Sequence, residues 1–139
     1  MRKLNPKVID VNKVKPLELG GVYLSRMILD DEVTGRDGIM QINHGTVKPE
    51  VKLGGDLHDQ DEIYYILSGK GKLKLGDDII DLYPDQIIFI PAGVFHAIDN
   101  SESDEEMKIL TFWKEASFNE TYVKRMELWG KSFKTIDEE

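Results

Sequence analysis

Two segments of the chain concentrate side chains able to hold a cation, Asp56-Leu57-His58-Asp59-Gln60-Asp61-Glu62 and Pro91-Ala92-Gly93-Val94-Phe95-His96. They contain two of the protein's three histidines. Two imidazoles and one carboxylate, bound on one face with open positions, form the donor set of non-haem iron oxygenases, and the same set suits manganese, nickel or zinc. His58 and Glu62 stand an even number of residues apart, so on an extended chain they share a face with Asp56, Gln60, Tyr64 and Ile66. Val94, His96 and Ile98 share a face in the second segment, which flanks His96 with apolar residues as a partly buried ligand is flanked. Asp56 offers a further oxygen. A divalent ion balanced by Glu62 alone keeps a positive charge and attracts anions, whereas one balanced by both carboxylates does not. The plainer reading of the same residues is polar side chains at strand ends with a solvated glutamate.

These side chains need strands to aim them. From Val22 to Trp113, short runs rich in Ile, Val, Leu, Tyr and Phe alternate with turn residues, the pattern of an antiparallel sandwich or barrel. The runs are Val22 to Leu29, Gly38 to His44, Ile63 to Leu67, Lys72 to Leu75, Ile79 to Leu82, Gln86 to Ile90, Phe95 to Asn100 and Lys108 to Trp113. Ser68-Gly69-Lys70-Gly71 and Gly76-Asp77-Asp78 supply hairpin turns, and Pro84 and Pro91 stop ladders at strand starts. From Asn119 onward Tyr122, Val123, Met126, Trp129 and Phe133 fall at helical spacing, which predicts one amphipathic helix over about 119–134 covering a barrel opening or an edge strand.

Composition narrows the function. A chain of 139 residues fits one domain, residues 1–139, with a barrel core over about 38–113. Without cysteine it has no disulfide, thiolate zinc site, iron–sulfur cluster or thiol nucleophile. A formal charge of −8 argues against nucleic-acid partners, which are bound through clustered Lys and Arg. No run reaches membrane-spanning length, and the basic start Met1-Arg2-Lys3 leads into no signal-like apolar stretch, so a cytoplasmic protein with no membrane partner is expected. Phosphate-cradling loops and a nucleophile elbow have no counterpart here.

The second segment resembles the second signature motif of the cupins, with Pro91-Ala92-Gly93-Val94-Phe95-His96 followed by Asn100 and with Asp85 in place of the leading glycine. In the first motif, His58, Glu62 and Gly69 match the second histidine, the glutamate and the closing glycine, while Glu50 replaces the leading glycine and Asp56 the first histidine. The resemblance implies an all-β fold, an antiparallel double-stranded β-helix of jelly-roll type, here with a short C-terminal helix. It implies one divalent ion (Fe, Mn, Ni or Zn) on His58, Glu62 and His96, with Asp56 coordinating or standing just behind the ligands. It also implies a homodimer. The missing histidine weakens any close analogy with three-histidine dioxygenases and oxalate decarboxylases.

Other polar residues are weighed against plainer roles. His44 titrates near neutrality and is a candidate general base, the alternative being a hydrogen-bonded structural histidine. Tyr64 shares the Glu62 face and is a candidate donor to a substrate oxygen, the alternative being core filling. Gln41 and Gln60 are weaker candidates. The expected function is an enzyme acting through its metal on a small polar metabolite (hydroxy, keto or carboxylate), of oxygenase or isomerase/lyase type. The competing expectation is a non-catalytic module binding a small sugar-like ligand.

Overall fold

Runs that alternate apolar and polar residues over only four to eight positions cannot bury themselves as helices, and they pair instead. A computed structural model describes residues 7–30, 33, 40–55, 57 and 60–114. The expected helix over 119–134, and Asp56 and His58, lie outside the described residues. The strands are β1 (Leu17–Leu19), β2 (Tyr23–Leu29), β3 (Met40–Val47), β4 (Glu62–Ser68), β5 (Gly71–Leu75), β6 (Asp78–Leu82), β7 (Ile87–Ile90), β8 (His96–Asp99) and β9 (Met107–Lys114). They form a six-stranded sheet in the order β1-β2-β3-β9-β4-β7 and a three-stranded sheet in the order β6-β5-β8. Every pairing is antiparallel.

The sheets share one core. Val47, Tyr64, Ile66, Ile88, Ile90, Met107 and Ile109 from the larger sheet pack with Leu73, Leu82 and Ile98 from the smaller. Period-two alternation follows from this packing. In β7, Ile88 and Ile90 are buried while Ile87 and Phe89 are exposed. This is the all-β jelly roll expected from the sequence.

Each of the eight expected runs coincides with a strand, and β1 is added to them. The second run continues beyond His44 to Val47, through a glycine that reads as a strand end. Gly45 is needed within β3 because a Cβ there would come within 2.0 Å of the Tyr23 hydroxyl, whose ring lies across the strand.

Among the described residues only Glu50 (φ 61°) and Asp85 (φ 68°) are non-glycine residues in the left-handed region. These are the two positions where the sequence departs from the leading glycines of the cupin motifs. Each is fixed by its backbone, the Glu50 N–H donating to Ser103 O at 3.0 Å and the Asp85 N–H to Ile66 O at 2.8 Å. The turn geometry thus survives loss of the glycine, at a conformational cost of roughly 1–2 kcal/mol each for an ordinary residue, less for aspartate. Asp85 also accepts a 2.7 Å hydrogen bond from the Tyr65 hydroxyl. Glu50→Gly is therefore expected to stabilise the protein by about 0.5–1 kcal/mol, after the added freedom of glycine in the unfolded chain is subtracted. Thermal unfolding should show a midpoint raised by roughly 2–4 °C. Asp85→Gly, which loses the Tyr65 contact, should gain less, and a lowered midpoint for Glu50→Gly would contradict the assignment of strain.

Candidate metal centre

The two chemistry-bearing segments are locked together by backbone and packing. Residues 51–53 run beside β8, with Leu53 N–H donating to Ile98 O at 3.0 Å, Asn100 N–H donating to Val51 O at 2.8 Å, and a bridge between Lys52 and Asp99. Farther along, a Cβ on Gly55 would fall 1.9 Å from the Phe95 ring, so only glycine lets that ring lie against the chain. After the segment, Asp61 accepts a 2.8 Å hydrogen bond from the Ala92 N–H in the turn before His96. Glu62 then pairs with Ile90 as β4 begins. Both flanks of the Asp56–Gln60 stretch are thereby fastened to the strand or the turn that carries His96. At the other end of β8 Asn100, fully buried, donates to Lys48 O and Glu105 O and ties three segments together.

Glu62 opens β4 in the larger sheet and His96 opens β8 in the smaller, and their side chains meet between the sheets. Glu62 Oε1 lies 3.3 Å from His96 Nε2, with the side chains 14% and 5% exposed. The Nδ1 atom of His96 lies 3.0 Å from Val94 O. A carbonyl only accepts, so Nδ1 carries the hydrogen and the Nε2 lone pair of the neutral ring is directed at the carboxylate. A proton held between the two atoms, or a metal ion bound by both, is compatible with this approach. Cis ligands of a small divalent ion, each at ~2.1 Å, lie about 3 Å apart, so the pair fits one, and an Nδ1–H held by a backbone carbonyl is how metal-binding imidazoles are oriented. Among the described residues no group of three His, Asp or Glu side chains converges on one ion.

The other candidates take their places by register. Tyr64, 7% exposed, points inward beside Glu62, and its ring meets His96 edge-on at a centroid distance of 6.0 Å. Glu62 lies opposite Trp113 and Trp113 opposite Gln41, Tyr64 opposite Thr111 and Thr111 opposite Asn43, Ile66 opposite Ile109 and Ile109 opposite Gly45. The interior therefore grades from polar at the Glu62 end to apolar at the other. Asn43 is part of a buried chain that the sequence reading missed, accepting from Ser25 Oγ at 2.7 Å and donating to Tyr23 Oη at 3.2 Å. Its signal was period-two spacing: Ser25 and Tyr23 on β2 lie opposite Gly45 and Val47 on β3, the face that Asn43 shares.

The register does not bring His44 to that face. Next to Asn43, it points to the outside of the sheet, opposite Arg26 of β2. His44 is 8% exposed, and its Nδ1 finds no hydrogen-bond partner among the described residues. Burial, the Arg26 guanidinium and, more weakly, the Lys108 ammonium hold its pKa below the ordinary value. A cleft of about 500 Å3 lies at the far end of the barrel from Glu62 and His96, lined by Lys70, Lys72, Asp81, Tyr83, Asp99 and Ser103. Its charged side chains are largely solvated, as in the exposed Lys72–Asp81 pair at 3.7 Å.

Residues 40–113, more than half of the chain, match the family described as the cupin domain, and the chain belongs to the cupins. It is 25% identical over 111 residues to the polyketide synthase CurC of Streptomyces cyaneus, covering 79% of this chain and 70% of that protein. Its fold is similar to that of the polyketide cyclase RemF from Streptomyces resistomycificus, with a TM-score of 0.70 and 20% identity over 88% of this chain and 94% of that one. It also resembles a predicted oxalate decarboxylase from Thermotoga maritima, with a TM-score of 0.69 and 18% identity over 78% and 98% of the two chains. No helix among the described residues is long and apolar enough to cross a membrane.

The placement of His44 sets a pH dependence. A base whose folded-state pKa is depressed favours the neutral ring, so its contribution is intact above the unfolded value of 6.5 and is lost as pH falls from there toward the folded value. In urea unfolding at pH 7.5 and pH 5.5, the wild type should lose more stability on acidification than His44→Gln, in which this titration is removed. An identical loss in the two proteins would contradict a neutral, buried His44.

Proposed function

We propose that this cupin is a metal-dependent enzyme acting on a small polar metabolite that bears a hydroxyl, keto or carboxylate group. The observation that carries the reading is the 3.3 Å approach of His96 Nε2 and Glu62 Oε1, with Nδ1 committed to Val94 O. His58 is the proposed third ligand, and Asp56 a fourth ligand or a hydrogen-bond partner of the ligand shell. In support, both ends of the stretch holding these two residues are anchored beside His96 through Gly55 against Phe95 and Asp61 on Ala92.

A bound divalent ion supplies Lewis-acid polarisation of a substrate oxygen, with oxygenase chemistry if it is iron and isomerase or lyase chemistry if it is manganese, nickel or zinc. The protein's own side chains do the rest. Tyr64 packs edge-on against His96 and fixes the imidazole plane, and its hydroxyl is the candidate hydrogen-bond donor to a substrate oxygen. The inward polar rows of Gln41, Asn43 and Thr111 offer further hydrogen bonds, while Ile66, Ile109 and Met107 close the floor and exclude water. The name of the relative CurC, a polyketide synthase, supports including polyketides in the proposed substrate class. A proton shared between His96 and Glu62 satisfies the same pair, which keeps a metal-free module for a small sugar-like ligand as the second reading.

Elemental analysis of untagged protein purified without chelators separates the two. Near-stoichiometric metal per chain is expected, with affinity lowered at least tenfold in His96→Ala and in Glu62→Gln while cooperative unfolding is kept. Asp56→Ala weakens affinity if Asp56 coordinates and leaves it unchanged if it does not. A protein that holds no metal and takes up none of the four added ions, or a His96→Ala variant that binds as tightly as wild type, would overturn the proposal.

A further inference from the structure

The outward face of β9, β4 and β7 carries an unbroken apolar surface. Register places Ile87 opposite Tyr65 and Tyr65 opposite Leu110 in one rung, and Phe89 opposite Ile63 and Ile63 opposite Phe112 in the next. On the edge strand Ile87 is 67% and Phe89 57% exposed, and Leu67 on β4 is 37% exposed. The remaining four residues of the two rungs are half-buried. Contiguous apolar surface of this kind on a β-sheet, at an edge strand, is ordinarily covered.

The other outward faces differ. The smaller sheet turns Lys72, Lys74, Asp81 and Asp99 outward. Over β2 and β3 the N-terminal segment is engaged, with Arg26 Nε donating to Val14 O at 2.9 Å and Val14 1% exposed. Among the described residues, where Ile79 stands alone beside these charges on the smaller sheet, the contiguous apolar face that calls for a cover is that of β9, β4 and β7.

We propose that this face is the docking surface for the chain's own C-terminal segment, residues 115–139. The described chain leaves β9 at Lys114, next to the outward Phe112, and 25 residues follow, 139 less 114. Tyr122, Met126, Trp129 and Phe133 recur there at positions i, i+4, i+7 and i+11, one stripe of a helix that needs an apolar surface of its own. The face is two strand spacings wide, about 10 Å, and a helix over 119–134 extends about 24 Å, so one helix spans it. The four residues 115–118 bridge up to ~13 Å, sufficient to turn from the end of β9 onto its outer side. A second copy of the chain is the competing occupant. A tethered segment acts at an effective concentration in the millimolar range, roughly a thousandfold above a micromolar second copy, and fills the face first.

The absence of cysteine makes the test clean. In the full chain, Phe89→Cys combined with Met126→Cys, or with Trp129→Cys, is treated with a short bismaleimide, and the products are sized by denaturing mass spectrometry. The control pairs Met126→Cys with Ile79→Cys, which is 68% exposed on the other sheet. Intrachain cross-linking at least fivefold above the control is expected. Equal yields, or products joined only between chains, would overturn the proposal, the latter in favour of a second copy. Ile87→Glu gives a readout independent of the cysteine pairs: trypsin cleavage at Lys124 and Arg125 should accelerate at least threefold relative to wild type and to Ile79→Glu, and unchanged cleavage would also overturn it.

Discussion

The approach of a carboxylate and an imidazole nitrogen between two β-sheets is the contact on which the proposed centre depends, and the architecture around Glu62 and His96 keeps them in that position. The two residues come from different sheets, so their 3.3 Å approach depends on the packing that holds the sheets together. That packing mixes Ile90 with polar side chains at the Glu62 end and is apolar throughout at the other. Ile66, Ile109, Met107, Leu73 and Leu82 fill the far end, where close-packed hydrocarbon resists any sliding of the sheets. The polar rows at the Glu62 end are then free to carry hydrogen-bonding groups. Gly55 beneath Phe95, Asp61 on Ala92 and residues 51–53 along β8 tie the first motif segment at both flanks to the second.

Most of this architecture was legible in the sequence, and the exceptions have physical causes. The eight runs stood out because alternation over four or more residues is unambiguous, whereas β1 is three residues, Leu17 to Leu19, too short for any period to register. Gly45 looked like the end of a strand, since its role depends on Tyr23, 22 positions earlier, laying its ring across it. Misplacing that end also hid the parity of β3. Once Val47 belongs to the strand and to the core, Asn43 and Gln41 face inward and His44 faces out. The approach of Glu62 to His96 was legible because Glu62 and Gly69 in the first motif and the Pro-x-Gly-x-x-His run of the second stand where the family places them. The Ser25–Asn43–Tyr23 chain was not, because period-two spacing puts Asn43 on a face but does not record which strand becomes its neighbour.

Strand β4 shows the limit of reading faces from composition. Its sequence Glu-Ile-Tyr-Tyr-Ile-Leu-Ser is apolar on both sides, so alternation alone cannot say which side is the core. The structure assigns Tyr64 and Ile66 to the core and leaves Ile63, Tyr65 and Leu67 outside. A strand with two apolar faces is expected where both faces are covered. The doubled pattern therefore carries information about packing outside the barrel that the barrel itself does not use.

The departures from the cupin motifs differ in kind. A glycine in the motif specifies a backbone angle, and Glu50 and Asp85 meet that requirement by adopting φ 61° and 68°, at a cost in conformational energy but with no change of chemistry. A metal-ligand position specifies a donor atom and a charge, and strain cannot substitute for either. Asp56, where the family places a histidine, has an anionic oxygen in place of a neutral nitrogen donor, and in the proposed site its carboxylate would add to that of Glu62. A motif should thus be scored by what each position demands. The fold-determining turns are retained here in spite of their residues, while the difference at position 56 would bear, in the proposed metal site, on the charge of the centre.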